Sequence, residues 1–193
     1  MEKNKVIEFF DNCAKNWDSE MIRHDGRIDK ILDSAGVSAG LNVLDVACGT
    51  GVLITDYLKR NVAQVTGVDI SGEMIKIAKE KFDLPHVSFM CADIEETEIS
   101  DFDVCVVYNA FPHFENPARL IKNLAKKLKT KGRLTIAHGM SREEINRRHK
   151  GSASSVSNEL MECDELKKLF EPYFKVDVCL SDDEIYIVSG VKI

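Results

Sequence analysis

Short apolar runs alternate with helix-like segments along most of the chain. Five runs rich in β-branched residues predict strands over 42–46, 64–70, 86–91, 103–108 and 133–137. Between them, residues 52–60, 72–82 and 117–129 carry the wider apolar spacing of helices. Ser71 is placed to cap the second of these helices. Asn116 and Pro117 give the third a cap and a first-turn proline. Gly132 is expected to stop that helix after Lys129, Thr130 and Lys131. Such alternation predicts a parallel sheet covered on both faces.

The two ends depart from this rhythm. Residues 164–172 read as a helix, and 174–180 and 184–191 as two strands joined by Ser181, Asp182 and Asp183. That connection is too short for a parallel crossover, so the last two strands are expected to form an antiparallel hairpin. Residues 2–35 read as a mostly helical arm whose apolar positions include Phe9, Phe10, Trp17, Ile22 and Ile28. The expected organisation over 1–193 is one α/β domain. It has a helical arm or lid at 1–35, a core at 36–139, an inserted helix and flexible lid at 140–160, and a helix with hairpin at 161–193.

The stretch Val43-Leu44-Asp45-Val46-Ala47-Cys48-Gly49-Thr50-Gly51 joins the first strand to the first helix of that core. Glycines at 49 and 51 let the chain turn sharply and bring backbone N–H groups close to a ligand, and Asp45 sets a carboxylate beside them. A dinucleotide site of the hydride-transfer kind would carry a third glycine where this chain has Ile54. The stretch resembles instead the first motif of the class I S-adenosylmethionine (SAM)-dependent methyltransferases, V-L-D-x-x-C-G-T-G, through Leu44, Asp45, Cys48, Gly49, Thr50 and Gly51. The resemblance extends over about half the chain, from 41 to 139. It implies a seven-stranded Rossmann-like sheet, mostly parallel with a C-terminal antiparallel hairpin and helices on both faces, and SAM as cofactor.

Two further acids follow strands. Asp69 lies 24 residues beyond Asp45, close to the spacing at which an acid meets a ribose in nucleotide folds. The resemblance gives it the same role. It also implies that Asp93 bonds the adenine amino group and that Ile94 packs on the ring. Ile70 and Met74 are candidates for the opposite wall, Ala47 and Cys48 for the loop against the cofactor, and Asn109 for the exit of the fourth strand. At the N-terminus, Phe9-Phe10 and Trp17-Asp18 resemble the F-F-D-x-x-A-x-x-W-D entry of some small-molecule methyltransferases. That makes Trp17 either a core plug or a cover over the methyl donor.

The resemblance implies in-line attack on a sulfonium methyl, for which the protein supplies alignment, desolvation and sometimes a base. His113 is the first candidate base, since imidazole titrates near neutral pH and it sits just past a strand end. His138 and His149 are the other catalytic candidates, and no metal is assigned to the three. Asn109-Ala110-Phe111-Pro112 departs from the N/D-P-P-Y/F motif of exocyclic base methylation, which leaves oxygen, sulfur, carbon or other nitrogen acceptors open. In the inserted helix Ser141 and Glu144 read as a capping box, and Glu143–Arg147 and Glu144–Arg148 as i,i+4 pairs. Arg147, Arg148 and Lys150 read either as a solvated face or as selectors of an anionic substrate. Gly151–Ser157, small and polar, reads as a mobile loop.

Composition narrows the partners. A net charge of −6 disfavours phosphate-backbone binding, so nucleic acid is not expected and a small-molecule acceptor is. No apolar run reaches the roughly 18–20 residues of a membrane span. Six scattered cysteines without a C-x-x-C pair fit a reducing cytoplasm, with Cys91, Cys105 and Cys179 expected as small core residues of strands. Oligomeric state is not legible. A nicotinamide-dependent oxidoreductase, a non-catalytic SAM-binding module and a protein methyltransferase are the rival readings.

Overall fold

The apolar runs at 42–46 and 102–108 lie side by side at the centre of one sheet, and the rest of the molecule is built outward from them. The computed structural model describes residues 2–151 and 153–193; Met1 of the expected arm and Ser152 of the expected serine loop lie outside the described residues. The strands are β1 (Asn42–Val46), β2 (Gln64–Asp69), β3 (Val87–Cys91), β4 (Phe102–Tyr108), β5 (Leu128–His138), β6 (Phe174–Ser181) and β7 (Tyr186–Lys192). The helices are α1 (Lys3–Glu20), α2 (Asp25–Ser34), α3 (Ile54–Lys59), α4 (Gly72–Lys81), α5 (Pro117–Lys127), α6 (Arg142–His149) and α7 (Cys163–Phe170). Sheet order is β3-β2-β1-β4-β5-β7-β6, and only β7 runs antiparallel to its neighbours. The expected seven-stranded, mostly parallel sheet with its terminal antiparallel pair is therefore the observed one. Strand order reverses between β1 and β4, which opens a crevice at their carboxyl ends.

Both faces are covered. On one, Ile28 and Leu32 of α2 and Ile54 and Tyr57 of α3 pack on Val43, Val65, Val104 and Val106. On the other, Leu120 and Leu124 of α5 and Leu166 and Phe170 of α7 pack on Leu44, Cys105, Leu134 and Ile136. Burying a side chain of this size contributes about 1.5–3 kcal/mol, so these two layers hold the crevice rigid. The arm divides between two tasks. α2 is core, whereas α1 buries only Val6 and Ala14 and lies against α4. Ile22, in the link between them, stays 68% exposed.

Three local expectations are corrected. Gly132 does not stop a helix: α5 ends at Lys127 and the chain enters β5 at once, because Leu128 pairs with Phe102 in the sheet. Gly132 sits beside the register shift that follows, and a Cβ there would lie 2.9 Å from the Lys129 carbonyl oxygen. Cys105 is buried as expected, but Cys91 and Cys179 are exposed because β3 and β6 are the two edge strands. The expected helix at 52–60 shortens to Ile54–Lys59, the turn through Gly51 taking its first residues.

Candidate active site

A cavity of about 560 Å³ opens at the carboxyl ends of β1, β2 and β4, and the exit of β3 closes one side. Its floor is the loop after β1. Ala47, Gly49 and Gly51 all hold positive φ there, at 54°, 55° and 82°. At Gly51 a Cβ would come within 2.9 Å of the Phe82 ring, so this position tolerates neither the bulk nor the backbone angle of another residue. Asp45, Ala47, Cys48 and Gly49 line the cavity, whereas Gly51 only shapes the turn behind it.

Asp69 binds the loop to the next strand. Its Oδ2 accepts from Gly49 N at 2.8 Å and its Oδ1 from Ser71 N at 2.9 Å. Each carboxylate oxygen keeps a second lone pair, enough for a diol. Burial pushes the Asp69 carboxyl above its ordinary range, and the backbone donors pull it back in part. Asp45 stands differently. It is fully buried, and neither its Oδ2 nor the hydroxyl of neighbouring Tyr57 finds a hydrogen-bond partner. Burial, and then the Asp69 charge, push its carboxyl up to about 8; Tyr57 is near enough to oppose this slightly. Asp93 follows β3, with Oδ1 accepting from Glu95 N at 2.9 Å and Oδ2 lying 2.5 Å from Lys3 Nζ. Ile94, Ile70 and Met74 stand around it as apolar lining.

α1 forms the roof. Two of its acids, Asp11 and Asp18, are seven residues apart and so share one face of the helix. Asp11 accepts from the Ser71 hydroxyl at 2.5 Å and from Glu73 N at 3.2 Å, which fastens it to the start of α4. Asp18 accepts from Thr50 Oγ1 at 2.5 Å and from Lys81 Nζ at 2.7 Å, which fastens it to the glycine loop and the end of α4. Trp17 faces Gly49, its Nε1 3.7 Å from where a Cβ would stand. Composition gave these acids no prominence. The signal was present in the F-F-D and W-D pairs.

The exit of β4 supplies the other wall. Asn109 has φ 53°, donates its N–H to Ala137 O and accepts from Gly139 N through Oδ1, both at 2.9 Å. Tyr108, not singled out from sequence, also lines the cavity. His113 enters from a single 3-10 turn at Phe111–His113. Its Nδ1 lies 2.8 Å from Val156 O, so Nδ1 carries the proton and Nε2 keeps its lone pair. Its ring stands edge-on to Phe10 at 4.9 Å, and burial lowers it to about 4, a neutral imidazole at physiological pH.

The other two histidines lie behind it. His149 of α6 is centred 5.2 Å from His113, with burial pushing its ring downward and its Nδ1 unpartnered. His138 does not line the cavity. It is fully enclosed at the end of β5 against Tyr186, its two nitrogens have no partner, and burial lowers it to about 3. Among the described residues no group of three histidine, cysteine or acidic side chains is arranged to hold a metal ion.

α6 turns Ile145 inward and its charges outward. Ser141 caps it by accepting from Glu144 N, but Glu144 pairs with Arg147 and Arg148 instead of closing a capping box. Glu143 lies against Arg142, not Arg147. Lys150 lies 3.7 Å from Glu159. None of Arg147, Arg148 and Lys150 lines the cavity, because the buried face of α6 is its apolar one. No described helix is long and apolar enough to cross a membrane.

Comparison with known proteins agrees with this geometry. Residues 44–136 match the family described as a methyltransferase domain. The malonyl-[acyl-carrier protein] O-methyltransferase of Acetivibrio thermocellus is 31% identical over 142 residues, which cover 71% of this chain and 50% of that one. The ubiquinone biosynthesis O-methyltransferase of Coxiella burnetii is 36% identical over 99 residues, 49% of this chain and 42% of that one. The chain thus spans about half the length of the curated relatives it matches. Among solved structures, the N-methyltransferase NodS of Bradyrhizobium japonicum, in complex with S-adenosyl-L-homocysteine, superposes with a TM-score of 0.76 at 15% identity over 97% of this chain and 98% of that one.

Proposed function

Because the chain belongs to the class I SAM-dependent methyltransferases, we propose that it transfers the methyl group of SAM to an oxygen of a small-molecule acceptor. The observation that supports this reading is the convergence of Asp45, Gly49, Asp69 and Asp93, from three successive strands, on one cavity under α1. Those residues suit the cofactor group by group. Asp69 has lone pairs left for the ribose hydroxyls, and Asp93 stands beside apolar Ile70, Met74 and Ile94 where a purine would lie. Cys48 and Gly49 offer backbone, and the buried Asp45 carboxylate suits a cationic chain. SAM supplies an electrophilic methyl on a positively charged sulfur.

The remaining steps fall to the protein's own side chains. α1, with Phe10 and Trp17, excludes water from the reacting atoms, and a dry site strengthens every charge interaction within it. His113 Nε2 accepts a hydrogen bond from the acceptor's hydroxyl and so orients its oxygen lone pair, the proton leaving to solvent as the O–CH3 bond forms. A ring this hard to protonate is a weak base, so it positions more than it ionises. Asn109, pinned to β5, fixes the loop that carries His113. Two curated relatives are named as O-methyltransferases, which favours oxygen over the other acceptor atoms. Against the nicotinamide reading, the third glycine position is filled by the fully buried side chain of Ile54.

Two measurements test the proposal. Calorimetry should give saturable heat with SAM and none with NAD. Incubation with SAM and a panel of small hydroxylated and carboxylated molecules should yield an O-methyl product by mass spectrometry. Binding of NAD without SAM, or methylation confined to nitrogen or sulfur acceptors, would overturn it.

A further inference from the structure

Asp45 and Asp69 are two buried carboxyl groups on adjacent strands that face one cavity, and they are not equally provided for. Asp69 is held by two backbone N–H groups. Asp45 Oδ2 is held by nothing. The groups that face Asp45 are Asp69 from β2, Tyr57 from α3, Cys48 from the loop and Cys105 from β4, and none of them is a cation. The cations that line the cavity pair with acids other than Asp45, Lys3 with Asp93 and Arg119 with Glu95. Two buried negative charges without a counter-ion are costly in a low dielectric. A proton or a positively charged ligand relieves that cost, and of the two acids Asp45 is the one without backbone donors, its Oδ2 unpartnered and the Tyr57 hydroxyl beside it offsetting the shift only slightly.

We propose that Asp45 holds a proton until the cofactor arrives and releases it when the cofactor's positive charge takes its place, so that this carboxyl discriminates the charged methyl donor from the uncharged-sulfur product. The inference rests on the methyltransferase reading. On binding, the carboxyl O–H bond breaks, the proton leaves to solvent, and the carboxylate remains opposite the cationic ligand. SAM carries a sulfonium charge in addition to its ammonium. S-adenosylhomocysteine carries the ammonium alone and so displaces the proton less completely. After transfer the sulfur is neutral, and re-protonation of Asp45 weakens the hold on the product. The environment that favours the protonated acid, burial first and the Asp69 charge second, places the exchange within the range where enzymes work.

The test is calorimetry of the full chain at pH 7 in two buffers of different ionisation enthalpy, with SAM and with S-adenosylhomocysteine. The expected result is release of close to one proton with SAM and fewer with S-adenosylhomocysteine. SAM affinity should rise by up to about tenfold per pH unit from pH 6 to about 8 and level off above that. Asp45→Asn should bind SAM with little pH dependence in that window. Should this variant fail to fold, the comparison of the two ligands on the wild-type chain decides alone. SAM binding with the same heat in both buffers would overturn the proton exchange and leave the methyltransferase reading intact. No SAM binding at all would overturn both.

Discussion

The carboxylate of Asp11 accepts a 2.5 Å hydrogen bond from the hydroxyl of Ser71, and that same hydroxyl accepts from Met74 N as the cap of α4. One serine therefore closes the start of α4 and anchors α1 above the cavity. Asp11 adds a bond to Glu73 N and so completes the cap.

Asp11→Ala should loosen the middle of α1 at a cost of about 1 kcal/mol in docking. Amide hydrogen exchange across α1 should speed up while the sheet strands stay protected. Unchanged exchange in α1 would show that its apolar contacts suffice.

Asp69→Ala should weaken SAM binding by about 1–3 kcal/mol, roughly one to two orders of magnitude in Kd. It removes the partner of the proposed ribose and also the two bonds that hold Gly49 and Ser71 in place. An unaltered Kd would take Asp69 out of the cofactor site.

His113→Ala should lower kcat by about a hundredfold or more, with SAM affinity changed less than about twofold. The pH profile carries the sharper signature. Protonating Nε2 removes the lone pair, so activity due to His113 is present above about pH 4 and is lost as pH falls through it. A limb near pH 6.5 that vanishes in the variant would contradict a ring this strongly shielded.

His138→Phe should make the protein more resistant to acid. The folded state holds the ring neutral down to about pH 3, while the unfolded chain takes up a proton near pH 6.5. The stability contributed by the depressed ring is complete above that value and is lost as pH falls toward 3. Removing two unpartnered buried nitrogens should raise Tm at pH 5 more than at pH 8. An equal loss of Tm at both values would indicate that the nitrogens are satisfied.

Much of this was legible because a few positions allow only one solution. Gly51 must be glycine where φ is 82° and Phe82 crowds it, so the turn announces itself. Asp45, Asp69 and Asp93 stand in or just after apolar runs, and parallel strands bring such positions to one edge. What local pattern does not encode is order across the sheet. Cys91 and Cys179 have strand-like neighbours, yet β3 and β6 are its edges. The basic run at 126–131 reads as a helix tail until Leu128 is seen to pair with Phe102. His138 keeps step with Leu134 and Ile136, so the alternation along β5 points it to the face that α5 and α7 cover.

The roof is fastened very differently from the layers beneath it. Lys3 reaches Asp93 and Glu96, and Asp18 reaches Lys81, through side chains partly open to water, Asp93 the most enclosed of them. Exposed pairs of this kind contribute about 0–1 kcal/mol each and weaken as salt rises, whereas the apolar layers do not depend on charge. Added salt should therefore speed amide exchange in the cover well before it reaches the sheet beneath, so the two layers part company under a change of solvent alone.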